Sequence, residues 1–143
     1  MTGHKIRDFS KDNQGEDLYE FPDDITENKN GDVWTSDRIM VVVVEKSGEH
    51  RFDYEGQQSQ SNFSPRGICS DILGNVLVCD YDSSNASVHL LDQDGQLLSL
   101  ILTNHHNIHD PMALSVDDEN NLYLGQLNSN IITVFKYLQI TEK

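Results

Sequence analysis

The sequence has few cysteines for disulfide bonds and no long apolar segment for insertion into a membrane. Only two of its 143 residues are cysteine, too few to stabilise a fold of this size with disulfides. Cys69 and Cys79 lie inside successive apolar segments, which predicts buried, reduced thiols. No apolar run approaches the roughly 20 residues of a membrane helix, and residues 1–5 lack the apolar segment of a secretory signal. These absences predict a cytoplasmic protein without membrane contact.

Basic residues are also scarce. The chain holds 10 Lys and Arg against 24 Asp and Glu, which gives a formal net charge of −14. A surface this acidic repels nucleic-acid phosphates and anionic membranes, and it favours basic partners. Solubility alone is an alternative explanation of the same charge. Hydrophobic residues still make up 36% of the chain, so the composition predicts a folded domain rather than a disordered segment.

Proline is rare as well, but its three copies are evenly placed. Pro22, Pro65 and Pro111 lie 43 and 46 residues apart. An apolar residue follows each proline by three positions, Gly or Asn by nine, and another apolar residue by eleven. A turn and a strand at fixed offsets, with a period of about 40–45 residues, indicate the blades of a β-propeller. The alternative is a sandwich whose strands are evenly spaced.

Residues 65–103 form the most complete copy of the repeat. Four short apolar runs alternate there with clusters of Gly, Asn and Asp, which predicts a four-stranded antiparallel meander. The repeats divide the chain into an outer hairpin of a preceding blade at 1–21, blades at 22–64 and 65–110, and an incomplete blade at 111–143.

About three blades do not close a ring, because propellers need at least four. Three arrangements are open. The chain is a fragment of a longer protein, or two copies form a homodimer that closes a ring of about six blades, or the blades remain an open arc.

The repeat resembles the NHL blade. The segment PRGICSDILGNVLVCD follows the pattern of that family, in which Pro-x-Gly-Ile precedes Asp-x-x-Gly-Asn and an apolar strand that ends in Asp. Four segments are similar in particular to the C-terminal propeller of tripartite-motif (TRIM) ubiquitin ligases, as expanded in molluscs: DITENKNGDVWTSD, VCDYDSS, VHLLDQDGQLLSLIL and VDDENNLYLGQ. The resemblance covers about residues 22–138. It implies an all-β NHL propeller that binds a protein partner or a ubiquitination substrate.

No metal or cofactor is predicted. His105, His106 and His109 form a candidate zinc site, but they lack zinc-finger spacing and a nearby cysteine, so a solvated linker is the default interpretation. The acidic clusters at 80–82, 92–94 and 117–119 lack the spacing of an EF-hand, and they suit hairpin turns.

No catalytic motif is recognisable either. No serine has a Gly-x-Ser-x-Gly setting, and there is no paired-carboxylate or phosphate-loop motif. The residues that follow the three prolines include one acidic pair, Asp23-Asp24, rather than a ring of metal ligands. The chain also has no RING, B-box or coiled coil. The sequence therefore predicts a protein that is not an enzyme.

The remaining candidate site is a recognition surface. The loops between second and third strands and those between blades lie on one face of a propeller. The expected partner-binding residues in and beside these loops are Arg38, Phe63, Arg66, Tyr81, His105, His106 and His109. Arg and Tyr are favoured interface anchors, although these loops can also be merely polar. Protein binding is the leading function. The alternatives are an RNA-binding NHL propeller, which the net charge disfavours, and a metal-dependent propeller hydrolase.

Overall fold

The computed structural model of the chain describes residues 1–57 and 62–137, and this part is all-β. The first sheet contains β1 (Pro22–Glu27), β2 (Val33–Asp37), β3 (Met40–Val44) and β4 (His50–Tyr54). The second contains β5 (Pro65–Ser70), β6 (Val76–Asp80), β7 (Ser87–Leu91) and β8 (Leu97–Leu102). The third contains β9 (Pro111–Val116), β10 (Asn121–Gln126) and β11 (Ile132–Lys136). A single 3-10 turn, Asn104–His106, precedes β9.

Each sheet is an antiparallel meander whose strands pair in sequence order. The predicted fold class, all-β with antiparallel meanders, is confirmed. Residues 58–61 of the predicted blade 22–64, and residues 138–143 of the predicted blade 111–143, lie outside the described residues. No helix in the described ranges has the length and apolar character needed to cross a bilayer.

A side-chain acceptor closes the turn between the first two strands of each sheet. In the second sheet, Oδ1 of Asp71 accepts hydrogen bonds from the backbone N–H of Leu73 (3.0 Å) and of Asn75 (2.9 Å). Gly74 takes a φ of +90°, a conformation that costs glycine little. The same pair of bonds is made in four other turns, by Asp12, Asn28, Asp92 and Asp117. The recurring spacing of Asp and Gly therefore reflects the hydrogen bonds and the backbone conformation that these turns require.

The first strands of the three sheets lie side by side and run in the same direction. The backbone N–H of Ile68 donates to Oδ2 of Asp24 (3.1 Å), and Oγ of Ser70 donates to the carbonyl of Glu27 (2.9 Å). A Cβ on Gly67 would lie 2.8 Å from Cα of Ala113, so β5 and β9 approach more closely than any side chain there would permit. The sheets are therefore arrayed with their first strands together, as propeller blades are.

Apolar residues fill the space between neighbouring sheets. Trp34 and Val43 of the first sheet pack with Val78 of the second. On the other side, Leu77 packs with Leu122 of the third sheet. Because neighbouring sheets cover both of its faces, the two central strands of the second sheet, β6 and β7, are buried at every position.

The polar pair Tyr54 and His89 lies within this interior. Oη of Tyr54 is 2.6 Å from Nδ1 of His89, and Nε2 of His89 is 3.1 Å from Oγ of Ser87. Burial raises the pKa of the Tyr54 hydroxyl, so it remains a donor, and burial lowers the pKa of His89 to about 4. The neutral imidazole therefore accepts from Tyr54 at Nδ1 and donates to Ser87 from Nε2.

This pair predicts a stability that depends on pH. The unfolded chain protonates His89 near pH 6.5, whereas the folded chain does so only near pH 4. Within that window the unfolded state binds more protons, so the free energy of unfolding decreases as the pH is lowered, by up to about 1.4 kcal/mol per pH unit. Urea unfolding at several pH values should show a weaker slope for His89→Gln than for the wild type. His105→Gln, at an exposed position, should keep the wild-type slope. Equal slopes in all three proteins would contradict the assignment.

Candidate functional site

One edge of the sheets carries the connections from second to third strands and the connections between sheets. The register pairs Asp37 with both Pro22 and Met40, and Asp80 with both Pro65 and Ser87, which places these strand ends together. We term this edge the loop face. Its described connections and strand ends comprise residues 20–22, 38–39, 55–57, 62–66, 81–86, 103–111 and 127–131.

Side-chain acceptors at the ends of the second strands hold the segments that lead into the first strands. Asp37 accepts from the backbone N–H groups of Glu20 (2.9 Å) and Phe21 (2.6 Å). Asp80, which is fully buried, accepts through Oδ1 from the N–H groups of Ser64 (2.9 Å) and Asp82 (3.1 Å). Buried carboxylates with several N–H donors give a loop a defined position.

The third sheet has an amide at the equivalent position. Oε1 of Gln126 accepts from the backbone N–H of His109 at 2.7 Å. Asp37, Asp80 and Gln126 each follow the proline of their repeat by 15 residues. That shared offset is the sequence signal by which these positioning residues could have been found, because it marks one acceptor per repeat.

Arg66 and Tyr81 form a contact on the loop face. The guanidinium carbon of Arg66 lies 5.0 Å from the centroid of the Tyr81 ring, which is a cation–π distance. Nε of Arg66 is buried and has no hydrogen-bond partner among the described residues. No carboxylate in the described part of the chain lies within 4.0 Å of this guanidinium.

Arg38 is placed differently. It is exposed, with a left-handed φ of 59°, and its guanidinium donates to Oε2 of Glu20 at 2.7 Å. The same group lies 5.8 Å from the ring centroid of Phe21, whose side chain is 68% exposed. Arg38 and Phe21 therefore present a paired cation and an aromatic ring to solvent.

Phe63 is buried in the core, although the sequence predicts it as a partner contact. Its side chain is 5% exposed, and its ring lies 5.3 Å from that of Tyr54. A partner cannot reach it in this structure. The polar residues on both sides of Phe63 gave no sign of this, because only long-range packing buries the ring.

The three histidines follow the second sheet and do not converge. Nδ1 of His106 accepts from the backbone N–H of Thr103 (3.0 Å), and the backbone N–H of His105 donates to Oγ1 of Thr103 (3.3 Å). These bonds cap the 3-10 turn, and the imidazoles of His105, His106 and His109 are exposed. Across residues 1–57 and 62–137, no three His, Cys, Asp or Glu side chains form a metal-binding group.

The thiols of Cys69 and Cys79 are free. Burial raises the pKa of both to about 12, so they are protonated and poor nucleophiles at neutral pH. Both lie on strands of the second sheet and belong to its packing.

Comparison with known proteins supports the fold. No protein-family model matches the chain, and no curated protein does. Among solved structures, virginiamycin B lyase from Staphylococcus aureus matches 92% of the chain at 17% identity with a TM-score of 0.58. A nidogen/laminin complex matches 85% at 20% identity with a TM-score of 0.58. PorZ, a surface component of the type-IX secretion system of Porphyromonas gingivalis, matches 89% at 16% identity with a TM-score of 0.65.

The chain spans 48%, 50% and 19% of these three structures, respectively. At these identities the likeness shows the fold alone, and the described sheets are β-propeller blades in an incomplete ring.

One prediction requires correction. The prediction that the chain is not an enzyme is wrong as an inference from this fold, because virginiamycin B lyase is an enzyme with the same architecture. The missing hydrolase and nucleophile motifs were too narrow a criterion, since a propeller positions reactive groups from distant repeats.

Asp80 provides a test of how the loop face is held in place. Asp80→Ala removes the acceptor for two N–H groups, so we expect the free energy of unfolding to fall by about 2–3 kcal/mol. Asp80→Asn keeps an acceptor oxygen and should lose less. Asp118→Ala, on an exposed turn, serves as the control and should change stability little. Urea unfolding measures all three variants, and a similar loss for Asp118→Ala and Asp80→Ala would contradict the role of Asp80.

Proposed function

We propose that this chain is a protein-recognition module of the NHL propeller type that binds its partner through the loop face. The observation that carries the proposal is a surface held in place by Asp37, Asp80 and Gln126. It combines arginines with aromatic and aliphatic side chains. The exposed apolar residues of the loop face are Phe21 (68%), Ile39 (60%), Leu127 (44%) and Ile131 (61%). Arginines beside apolar anchors on fixed loops are the ingredients of protein interfaces.

Two further observations support a protein partner. One solved structure of this fold is a nidogen/laminin complex, which supports protein binding as a use of propeller blades. The net charge of −14 favours a basic protein over RNA, whose phosphates the acidic chain repels. The partner of this proposal is therefore a basic protein.

The finer part of the proposal concerns the cellular role. The NHL-like segments, above all PRGICSDILGNVLVCD, resemble the substrate-binding propellers of TRIM ubiquitin ligases. On this basis the chain selects a cytoplasmic protein as a partner or as a substrate for ubiquitination.

Two exposed ion pairs provide a matched test of the binding face. Arg38 pairs with Glu20 on the loop face, and Lys46 pairs with Glu27 at the opposite ends of the strands. The immobilised chain is used to capture proteins from lysate, and affinity for the captured protein is then measured with purified components. We expect Arg38→Ala to weaken binding about tenfold or more, because interface arginines are frequent hot spots.

Lys46→Ala removes one cation from a comparable exposed pair and should bind as the wild type does. Equal loss in both variants would indicate a general charge effect. Loss in Lys46→Ala alone would place the interface at the other edge. Capture of RNA with submicromolar affinity would replace the proposed function with nucleic-acid binding.

A further inference from the structure

Arg66, on β5, lacks the acidic partners that Arg51 and Lys46 have. Arg51 reaches Asp32 at 2.6 Å and Asp94 at 3.3 Å, and Lys46 pairs with Glu27. Arg66 is partly buried, yet it has no carboxylate within 4.0 Å among the described residues of a chain with 24 acidic side chains. A partly buried arginine that pairs with no carboxylate of the described residues needs a physical explanation.

Among the described residues, at least one donor of the Arg66 side chain is also unused. Its buried Nε has no partner among the described residues, and its planar group lies 5.0 Å from the Tyr81 ring. A guanidinium presents N–H donors in a fixed fork that matches the two oxygens of a carboxylate, and stacking on a ring holds that fork in one plane.

The backbones on both sides of this contact are fixed. The carbonyl of Arg66 accepts from Oγ of Ser36 at 2.6 Å. The backbone N–H of Tyr81 donates to the carbonyl of Ser64 at 2.8 Å, next to the buried carboxylate of Asp80. Fixing both partners before binding reduces the entropy that a ligand must offset.

We propose that Arg66, with its guanidinium over the Tyr81 ring, binds a single carboxylate of the partner protein. This inference rests on the proposed function, and it identifies the ligand group at one point of the loop face. A single unpaired cation suits one isolated carboxylate, whereas a chain of phosphates meets the repulsion of the net charge of −14. The residues around that carboxylate are basic or aliphatic, which complements both the acidic surface and the exposed apolar side chains.

Peptide libraries test the carboxylate directly. Three libraries are immobilised, each with randomised Lys, Arg, Leu and Ile on both sides of a central Glu, Gln or phosphoserine. A fourth ends in a free C-terminal carboxylate and is matched by an amidated copy. We expect the wild-type chain to prefer Glu over Gln, or the free terminus over its amide, by about tenfold or more. The two pairs distinguish a side-chain carboxylate from a terminal one.

Variants assign the preference to Arg66. Arg66→Gln should abolish it, and Arg66→Lys should retain only part of it, because a lysine keeps the charge but loses the fork. Tyr81→Phe keeps the ring and should retain the preference, whereas Tyr81→Leu should weaken it. Urea unfolding of each variant separates loss of binding from loss of the fold.

The outcomes separate this inference from the proposed function. If a protein is captured through Arg38 but the libraries show no preference for a carboxylate, the carboxylate site is wrong and the proposed function stands. If the carboxylate preference persists in Arg66→Gln, Arg66 is not the binding group. If phosphoserine exceeds both Glu and the free terminus, the ligand is a phosphate and the carboxylate proposal fails.

Discussion

Alternate side chains of β6 point to opposite neighbours, and most of the structure depends on this packing. Val76 and Val78 pack toward the first sheet, while Leu77 and Cys79 pack toward the third. Neighbouring sheets cover both faces of β6 and β7, so these strands are buried at every position and a polar residue within them, such as His89, needs a buried partner. At one edge of the sheets, polar side chains cap the hairpin turns. At the other edge, the turns and strand ends hold the proposed recognition residues.

The two edges of the sheets contain similar hydrogen bonds that serve different purposes. At the edge opposite the loop face, Asp71 and its equivalents accept N–H groups from their own hairpins, which fixes local turns. At the loop face, Asp37 and Asp80 also accept from residues of the preceding connection, 16 to 17 positions away. These longer-range bonds hold the connections in place, and the loop face is consequently the better platform for a partner.

The fold could be predicted largely from the sequence because its determinants are local and repeated. The positions of Pro22, Pro65 and Pro111, and the Gly or Asn nine residues later, specify a turn and a strand without any knowledge of distant contacts. The candidate site could be predicted less completely from the sequence. Phe63 was expected at the surface and is buried, since its ring packs against Tyr54 on β4 and His89 on β7, contacts that depend on how the two sheets come together.

Arg66 shows the same limit of prediction from the sequence. Its residue type and position predict a contact residue. The sequence alone does not show that its guanidinium has no ion-pair partner among the described residues. Catalysis was excluded from the sequence for a similar reason. The absence of local motifs does not exclude catalysis, because a propeller brings together groups from separate repeats, and virginiamycin B lyase is an enzyme with this architecture.

The most direct test of the account is hydrogen–deuterium exchange of the chain with and without its captured partner. Binding through the loop face predicts added protection in residues 20–22, 62–66 and 81–86, and unchanged exchange in residues 28–32, 71–75 and 92–96. Protection confined to the second group of segments would place the partner at the opposite edge and contradict the account.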